Sequence, residues 1–224
     1  MAHLAHYKEA HPLPFVITHY VNLVCMIVLI LTGFMIHFPS LPVAEGVMRG
    51  PHVLCGFILF INFVVRVILA FCLESAPTLG TRLTVKDYKV WLPQEDNKHQ
   101  LLPWLKYYLF FKKEHPIAAK YGVPQKLAYL FMVSGLIIIM FWTGMALWEP
   151  TAVWPFNAWL ISVCGGLMSV RIIHYFGMFV FLFFIMLHVY LCCMEGTACI
   201  KLMFLRKETP GSEYDVLKHV EKKH

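Results

Sequence analysis

Two histidines, His174 and His188, stand fourteen residues apart in one apolar stretch, RIIHYFGMFVFLFFIMLHVYL. An ionisable side chain inside a membrane helix marks chemistry more often than packing. Fourteen residues of α-helix fall about 40° short of four turns and rise about 21 Å. Both imidazoles therefore leave one face of the helix, at different depths of a hydrocarbon layer about 30 Å thick. One helix thus offers two stacked ligand positions.

The elements that must position these rings are apolar. The chain has 224 residues, of which 59% are hydrophobic and only 14% charged, and its mean hydropathy is +0.64. That balance excludes an ordinary soluble domain and predicts a protein embedded in lipid. Four stretches are long enough to cross a bilayer, residues 15–36, 52–73, 124–147 and 170–194. The first ends in HFPSLP, which lacks a small-residue cleavage site, so it reads as a retained span and not a signal peptide.

The net charge of +6 says less than its distribution, and no nucleic-acid partner is expected. Lys8 precedes the first span. Arg82, Lys86, Lys89, Lys98, Lys106, Lys112, Lys113 and Lys120 fill the connection between spans two and three, and Lys201, Arg206, Lys207, Lys218, Lys222 and Lys223 follow the last. The other two connections hold only Arg49 and, at the edge of span four, Arg171. The positive-inside rule then places both termini and the middle connection in the cytoplasm, for a multi-pass protein of the inner (plasma) membrane.

The spans with residues up to 206 are expected to form one domain, and residues 207–224 a cytoplasmic tail. Within the middle connection, PWLKYYLFFKKEHP mixes aromatic and basic residues between prolines, which suits a short helix at the inner interface. The seven cysteines lack zinc-ligand or disulfide spacing; Cys192, Cys193 and Cys199 cluster without a fourth ligand nearby.

Of the twelve histidines, His3, His6, His11, His99, His115, His219 and His224 lie in polar or terminal segments and are expected to be solvated. His37 abuts Phe38 and Pro39 and reads as an interfacial residue. Topology assigns depths to the rest. His52 and His174 fall at the outer level, His19 and His188 at the inner level. Two imidazoles at each level could ligate a low-spin haem on both axial sides. Two haems stacked across the membrane would conduct electrons. The fold class expected is therefore an all-α membrane protein, a four-transmembrane-helix bundle holding two haems, with a cytoplasmic interfacial helix between spans two and three.

Two more residues repeat the interval. Gly33 follows His19 by fourteen, so it shares that face at the outer level and would give a porphyrin room. Arg66 follows His52 by fourteen, and its guanidinium could pair with a haem propionate or reach the inner surface. Spans one and three also end alike, in LTGFMIHFP and WTGMALWEP, setting Gly33 and Gly144 in matching places.

These segments resemble the di-haem cytochrome b subunits of respiratory oxidoreductases. The likeness is greatest to the gamma subunit of formate dehydrogenase, with the b-type subunit of nickel–iron hydrogenase related. It runs through THYVNLVCMIVLILTGFMIHFPSL, MRGPHVLCGFILFINFVVRVI, KYGVPQKLAYLFMVSGLIIIMFWTGMALWEP and the span-four stretch followed by GTACIKLMF. The resemblance implies His19, His52, His174 and His188 as ligands of two b haems. It also implies an iron–sulfur subunit and a catalytic subunit on the outer face, menaquinone or ubiquinone as acceptor beside the inner haem, and room for a higher oligomer of the complex. The family's quinone pocket corresponds here to AKYGVPQK and LHVYL, with Tyr121, Gln125 and Lys126 as candidates. The chain departs from the formate dehydrogenase pattern where Gly122 replaces an asparagine and Pro124 a glycine. Two other classes compete, a transition-metal transporter using histidine and methionine, and a lone quinol or superoxide oxidase without soluble subunits.

Overall fold

In hydrocarbon a chain must satisfy its own backbone hydrogen bonds, and a long apolar run can do so only as a helix. The computed structural model describes residues 4–38, 45–92, 100–113, 120–194 and 196–213. It contains α1 (Leu13–His37) and α2 (Glu45–Cys72), then a two-stranded ribbon of β1 (Glu74–Ser75) and β2 (Val85–Lys86). Two short helices follow, α3 (Asp87–Trp91) and α4 (Leu101–Tyr108). The third apolar run comprises α5 (Val123–Leu127), a π-helical turn (Ala128–Val133) and α6 (Ser134–Leu147). After it come α7 (Glu149–Ala152), α8 (Pro155–Val163), α9 (Leu167–Met194) and α10 (Thr197–Leu205). Four of these runs are long and apolar enough to cross a membrane, and the protein is an integral membrane protein of helical class.

Hydropathy marks the embedded part of each helix rather than its whole length. Thus α2 starts at Glu45, ahead of the apolar run at 52, and carries Pro51 inside it. The connection between spans three and four contains α7 and α8. Pro150 and Pro155 stand in their first turns, where a missing N–H costs nothing. Gly165 and Gly166, with φ of +83° and +120°, end that segment before α9.

The chain forms two compact units. In the unit made of Thr18–Val65 and Phe131–Met186, parts of the four long helices pack through aromatic contacts. Phe60 stacks on Phe141 at 3.9 Å between ring centroids, Phe34 meets Phe179 edge-on, and Trp142 lies parallel to Trp159 of α8. One polar clasp joins α1 to α2. Asn62 Nδ2 donates to the Thr18 carbonyl at 2.7 Å and to Asn22 Oδ1 at 2.6 Å.

The other unit comprises Met1–Ile17, Arg66–Leu130 and Leu187–His224. Glu74 pairs with Lys86 and Ser75 with Val85 in the ribbon. Ala10, Ala76 and Leu202 form one small core; Trp104, Tyr108 and Leu191 form another, with Val123 and Leu187 against it. The N-terminal residues run beside residues 209–212, through bridges from His6 to Thr209 and from Leu4 to Ser212. This pairing buries His6 and His11, against the expectation that both are solvated. His6 Nδ1 lies 3.0 Å from the Leu4 carbonyl, and Arg206 donates to the His11 carbonyl. His3, His99, His115, His219, His224, Pro39, Lys98, Lys218, Lys222 and Lys223 lie outside the described residues, as does the tail beyond 213.

Replacing Asn62 with Leu is expected to cost about 0.6–2 kcal/mol, the range for interhelical hydrogen bonds in membrane proteins. A lower unfolding midpoint in detergent, with helicity retained, is the readout.

Candidate functional site

Two of the four candidate histidines face each other within one unit. His52 of α2 and His174 of α9 have ring centroids 6.2 Å apart, with their planes at 66°. Each is half-buried and each meets a threonine. Thr32 Oγ1 lies 2.8 Å from His52 Nδ1, and Thr143 Oγ1 lies 2.9 Å from His174 Nδ1. The nitrogen left on each ring is Nε2. A Cβ placed on Gly33 would lie 3.5 Å from His52 Cε1, and one on Gly144 would lie 3.3 Å from His174 Cε1. A Cβ at Gly33 would thus make ordinary contact with the imidazole, whereas at Gly144 it would crowd the ring. His37, exposed at the end of α1, stacks on Tyr175 with centroids 3.7 Å apart.

The facing pair can be tested against a haem iron. A metal–imidazole nitrogen bond of about 2 Å plus about 1.1 Å from nitrogen to ring centroid, counted on both sides, separates the centroids of two axial imidazoles by about 6.2 Å. The observed 6.2 Å fits one six-coordinate iron between His52 and His174.

In the second unit His188 of α9 is half-buried, and its Nδ1 is hydrogen-bonded with the Tyr129 hydroxyl. Cys192 Sγ lies 3.9 Å from both ring nitrogens. Tyr129 stands edge-on to Trp91, which stacks on Tyr121 at 4.7 Å. His19 lies half-buried on α1, edge-on to Tyr20.

Arg66 has a protein partner that the sequence reading did not find. Its guanidinium donates to Asp87 Oδ2 at 2.8 Å and lies 3.9 Å over the Phe15 ring. Asp87 is fully buried. Its Oδ1 accepts from Ser75 at 2.6 Å and from Lys120 at 3.3 Å, and Trp91 Nε1 donates to Oδ2. Burial works to raise the Asp87 pKa, but Lys120, Arg66 and the Ser75 hydroxyl outweigh it and hold the carboxyl below its usual range. Burial pushes Lys120 down to about 8 against the pull of Asp87, and it raises Tyr121. The cluster holds two cations and one anion.

The quinone candidates fall in this unit with separate local roles. Gln125 Oε1 accepts from the Gly122 N–H at 2.9 Å and closes the first turn of α5. Lys126 is buried and donates to the Leu92 carbonyl at 3.1 Å. Gly122 faces α4, where a Cβ would meet the Trp104 ring at 3.1 Å and the Tyr108 hydroxyl at 3.2 Å. A side chain at this position would crowd both rings.

Sequence reasoning missed Thr32, Thr143, Tyr129 and Asp87. A signal for two of them was present. In antiparallel neighbouring helices the numbers of facing residues keep a constant sum, and both 143 with 174 and 129 with 188 give 317.

Four helices of membrane length and a pair of facing imidazoles are the marks of a membrane-bound b-type cytochrome. The chain belongs to the prokaryotic cytochrome b561 family, whose pattern matches residues 10–205. It is similar to a probable Ni/Fe-hydrogenase B-type cytochrome subunit of Bradyrhizobium diazoefficiens, 23% identical over 81% of this chain and 76% of the relative. A protein of the same name from Azotobacter chroococcum is 27% identical over 81% of this chain and 78% of its own. The one from Cupriavidus necator is 24% identical over 79% and 75%. The family implies a b-type haem as cofactor and membrane electron transfer as role.

Asp87→Ala leaves Arg66 and Lys120 without their carboxylate, and a loss of about 3–5 kcal/mol is expected in detergent unfolding. With a folded-state pKa below the unfolded one, the Asp87 contribution is complete above about pH 4 and is lost as pH falls through the folded value. Asp87→Asn should remove that acid-dependent step. Gly122→Asn should cost about 1–3 kcal/mol by overpacking against Trp104, measured in the same assay.

Proposed function

We propose that this chain is the membrane subunit of an oxidoreductase complex, carrying electrons through two b haems to a membrane quinone. The observation that carries this reading is the 6.2 Å separation of the His52 and His174 rings, each with Nδ1 engaged, in a chain of the cytochrome b561 family. His52 and His174 would hold one haem and His19 and His188 the other, the second pairing resting on helix depth. Held by these histidines, a b haem would supply a one-electron couple.

The chain's own residues position this chemistry. Gly33 and Gly144 lie against the two rings. Arg66, already on Asp87, would share its guanidinium with a propionate. A quinone would take two electrons in single steps and two protons from the cytoplasmic side, near Tyr121, Gln125 and Lys126. The Lys and Arg distribution supports cytoplasmic termini and an inner-membrane location, with the His52 and His174 level outermost. A catalytic subunit with its iron–sulfur partner would deliver electrons there. Nickel–iron hydrogenase is the partner type that the relatives' names support; the formate dehydrogenase type rests on motif resemblance alone.

The reading is tested by the reduced-minus-oxidised optical spectrum of the purified chain, which should show two b haems per protein. His174→Ala should lose the haem shared with His52, and His188→Ala the one shared with His19, each variant keeping the other. Retention of both haems in both variants would overturn the ligand assignment. Co-purification of a partner carrying iron–sulfur clusters separates a subunit from a lone oxidase.

A further inference from the structure

Each threonine beside the His52 and His174 pair has one hydroxyl proton and three partners, two carbonyls of its own helix and one imidazole nitrogen, the farther carbonyls being Leu29 at 3.3 Å and Met140 at 3.2 Å. Thr32 Oγ1 lies 2.6 Å from the Val28 carbonyl and 2.8 Å from His52 Nδ1. Thr143 Oγ1 lies 2.7 Å from the Ile139 carbonyl and 2.9 Å from His174 Nδ1. A carbonyl oxygen can only accept, so the hydroxyl proton goes to the residue four earlier in the helix. With that proton on the carbonyl side, the imidazole contact is an N–H donated by Nδ1 to the threonine oxygen, the arrangement that pairs the hydroxyl proton and the ring N–H at once. That fixes the tautomer on both rings and leaves each Nε2 with a free lone pair.

The device occurs twice with the same two residues. Thr32-Gly33 on α1 cradles His52, and Thr143-Gly144 on α6 cradles His174. In both, threonine accepts from the ring and the next residue is a glycine against Cε1, at ordinary contact distance for Gly33 and tighter for Gly144. A hydroxyl whose own proton is given to a carbonyl is polarised into a better acceptor. A ligand that donates its remote N–H to such an oxygen becomes a stronger base toward a metal.

We infer that Thr32 and Thr143 are positioning residues that fix the ligand tautomer of His52 and His174 and lower the reduction potential of the haem between them. The inference rests on the proposed ligation by those two histidines. The threonines touch neither iron nor substrate; they act through the imidazoles. Greater electron donation from both axial sides stabilises the ferric state, which is the more electron-poor of the two.

The experiment is a potentiometric titration of the purified chain, followed optically and by electron paramagnetic resonance, for wild type, Thr32→Val, Thr143→Val, Thr32→Ser and Thr143→Ser. Valine keeps the shape and removes the acceptor; serine keeps the acceptor. Each valine variant should shift the ferrous-to-ferric ratio of this haem about tenfold toward ferrous, a rise of about 59 mV for a one-electron couple. The other haem should stay in place, and the serine variants should titrate like wild type. Loss of this haem in a valine variant with retention in its serine counterpart supports the same role. Unchanged potentials in the valine variants overturn the inference, as do serine variants that shift or lose haem as the valine ones do, or equal shifts of both haems. In each of those cases haem bound to wild type leaves the ligand assignment standing. A wild-type chain without haem overturns the assignment and the inference together.

Discussion

Water is absent from the middle of a bilayer, so a polar group there must find its partner in the protein or go without. The described structure is organised around that constraint. The Asn62 amide reaches the Thr18 carbonyl and Asn22, and the hydroxyls of Thr32 and Thr143 turn back to carbonyls of their own helices. An imidazole in such surroundings can use only the acceptors that neighbouring helices bring to it. Its orientation is therefore tied to helix packing.

The two histidines of α9 meet this requirement with different chemistry. His174 has an aliphatic hydroxyl, from Thr143, and His188 a phenolic one, from Tyr129. A phenol oxygen shares its lone pairs with the ring, so of the two hydroxyls it is the stronger donor and the weaker acceptor. The two imidazoles of one helix thus sit in chemically unequal surroundings. If both ligate haem as proposed, any gradient between the two centres would come from that difference.

Much of this was legible in the sequence. Apolar runs gave four helices close to their observed limits, since one property, hydropathy, controls both insertion and helix formation. The pairing of His52 with His174 followed from topology, because helix rise converts residue number into depth. Less visible was whatever depends on which side of a helix faces which neighbour. Thr32 and Thr143 are ordinary apolar-helix residues until an imidazole stands opposite. Gly33, singled out by its interval from His19, has a Cβ direction that points to the His52 ring, a detail that an interval of fourteen residues cannot supply. Asp87 was hidden for another reason: it lies in a connection without periodicity, where only the ribbon of Glu74–Ser75 with Val85–Lys86 carries it to Arg66.

That ion cluster also sets a timetable for biosynthesis. Arg66 is made twenty-one residues before Asp87 and fifty-four before Lys120. At about 5–20 residues per second the arginine waits roughly 1–4 s for its carboxylate, and the carboxylate roughly 2–7 s more for the lysine. During the first interval the nascent chain holds a cation at the end of a membrane helix with no counter-ion. During the second it holds an ion pair that is neutral overall. Arrival of Lys120 makes the group positive again, at the moment when the third span begins to emerge. The order of synthesis thus gives quality-control machinery two chemically different intermediates of one chain, distinguishable by charge alone.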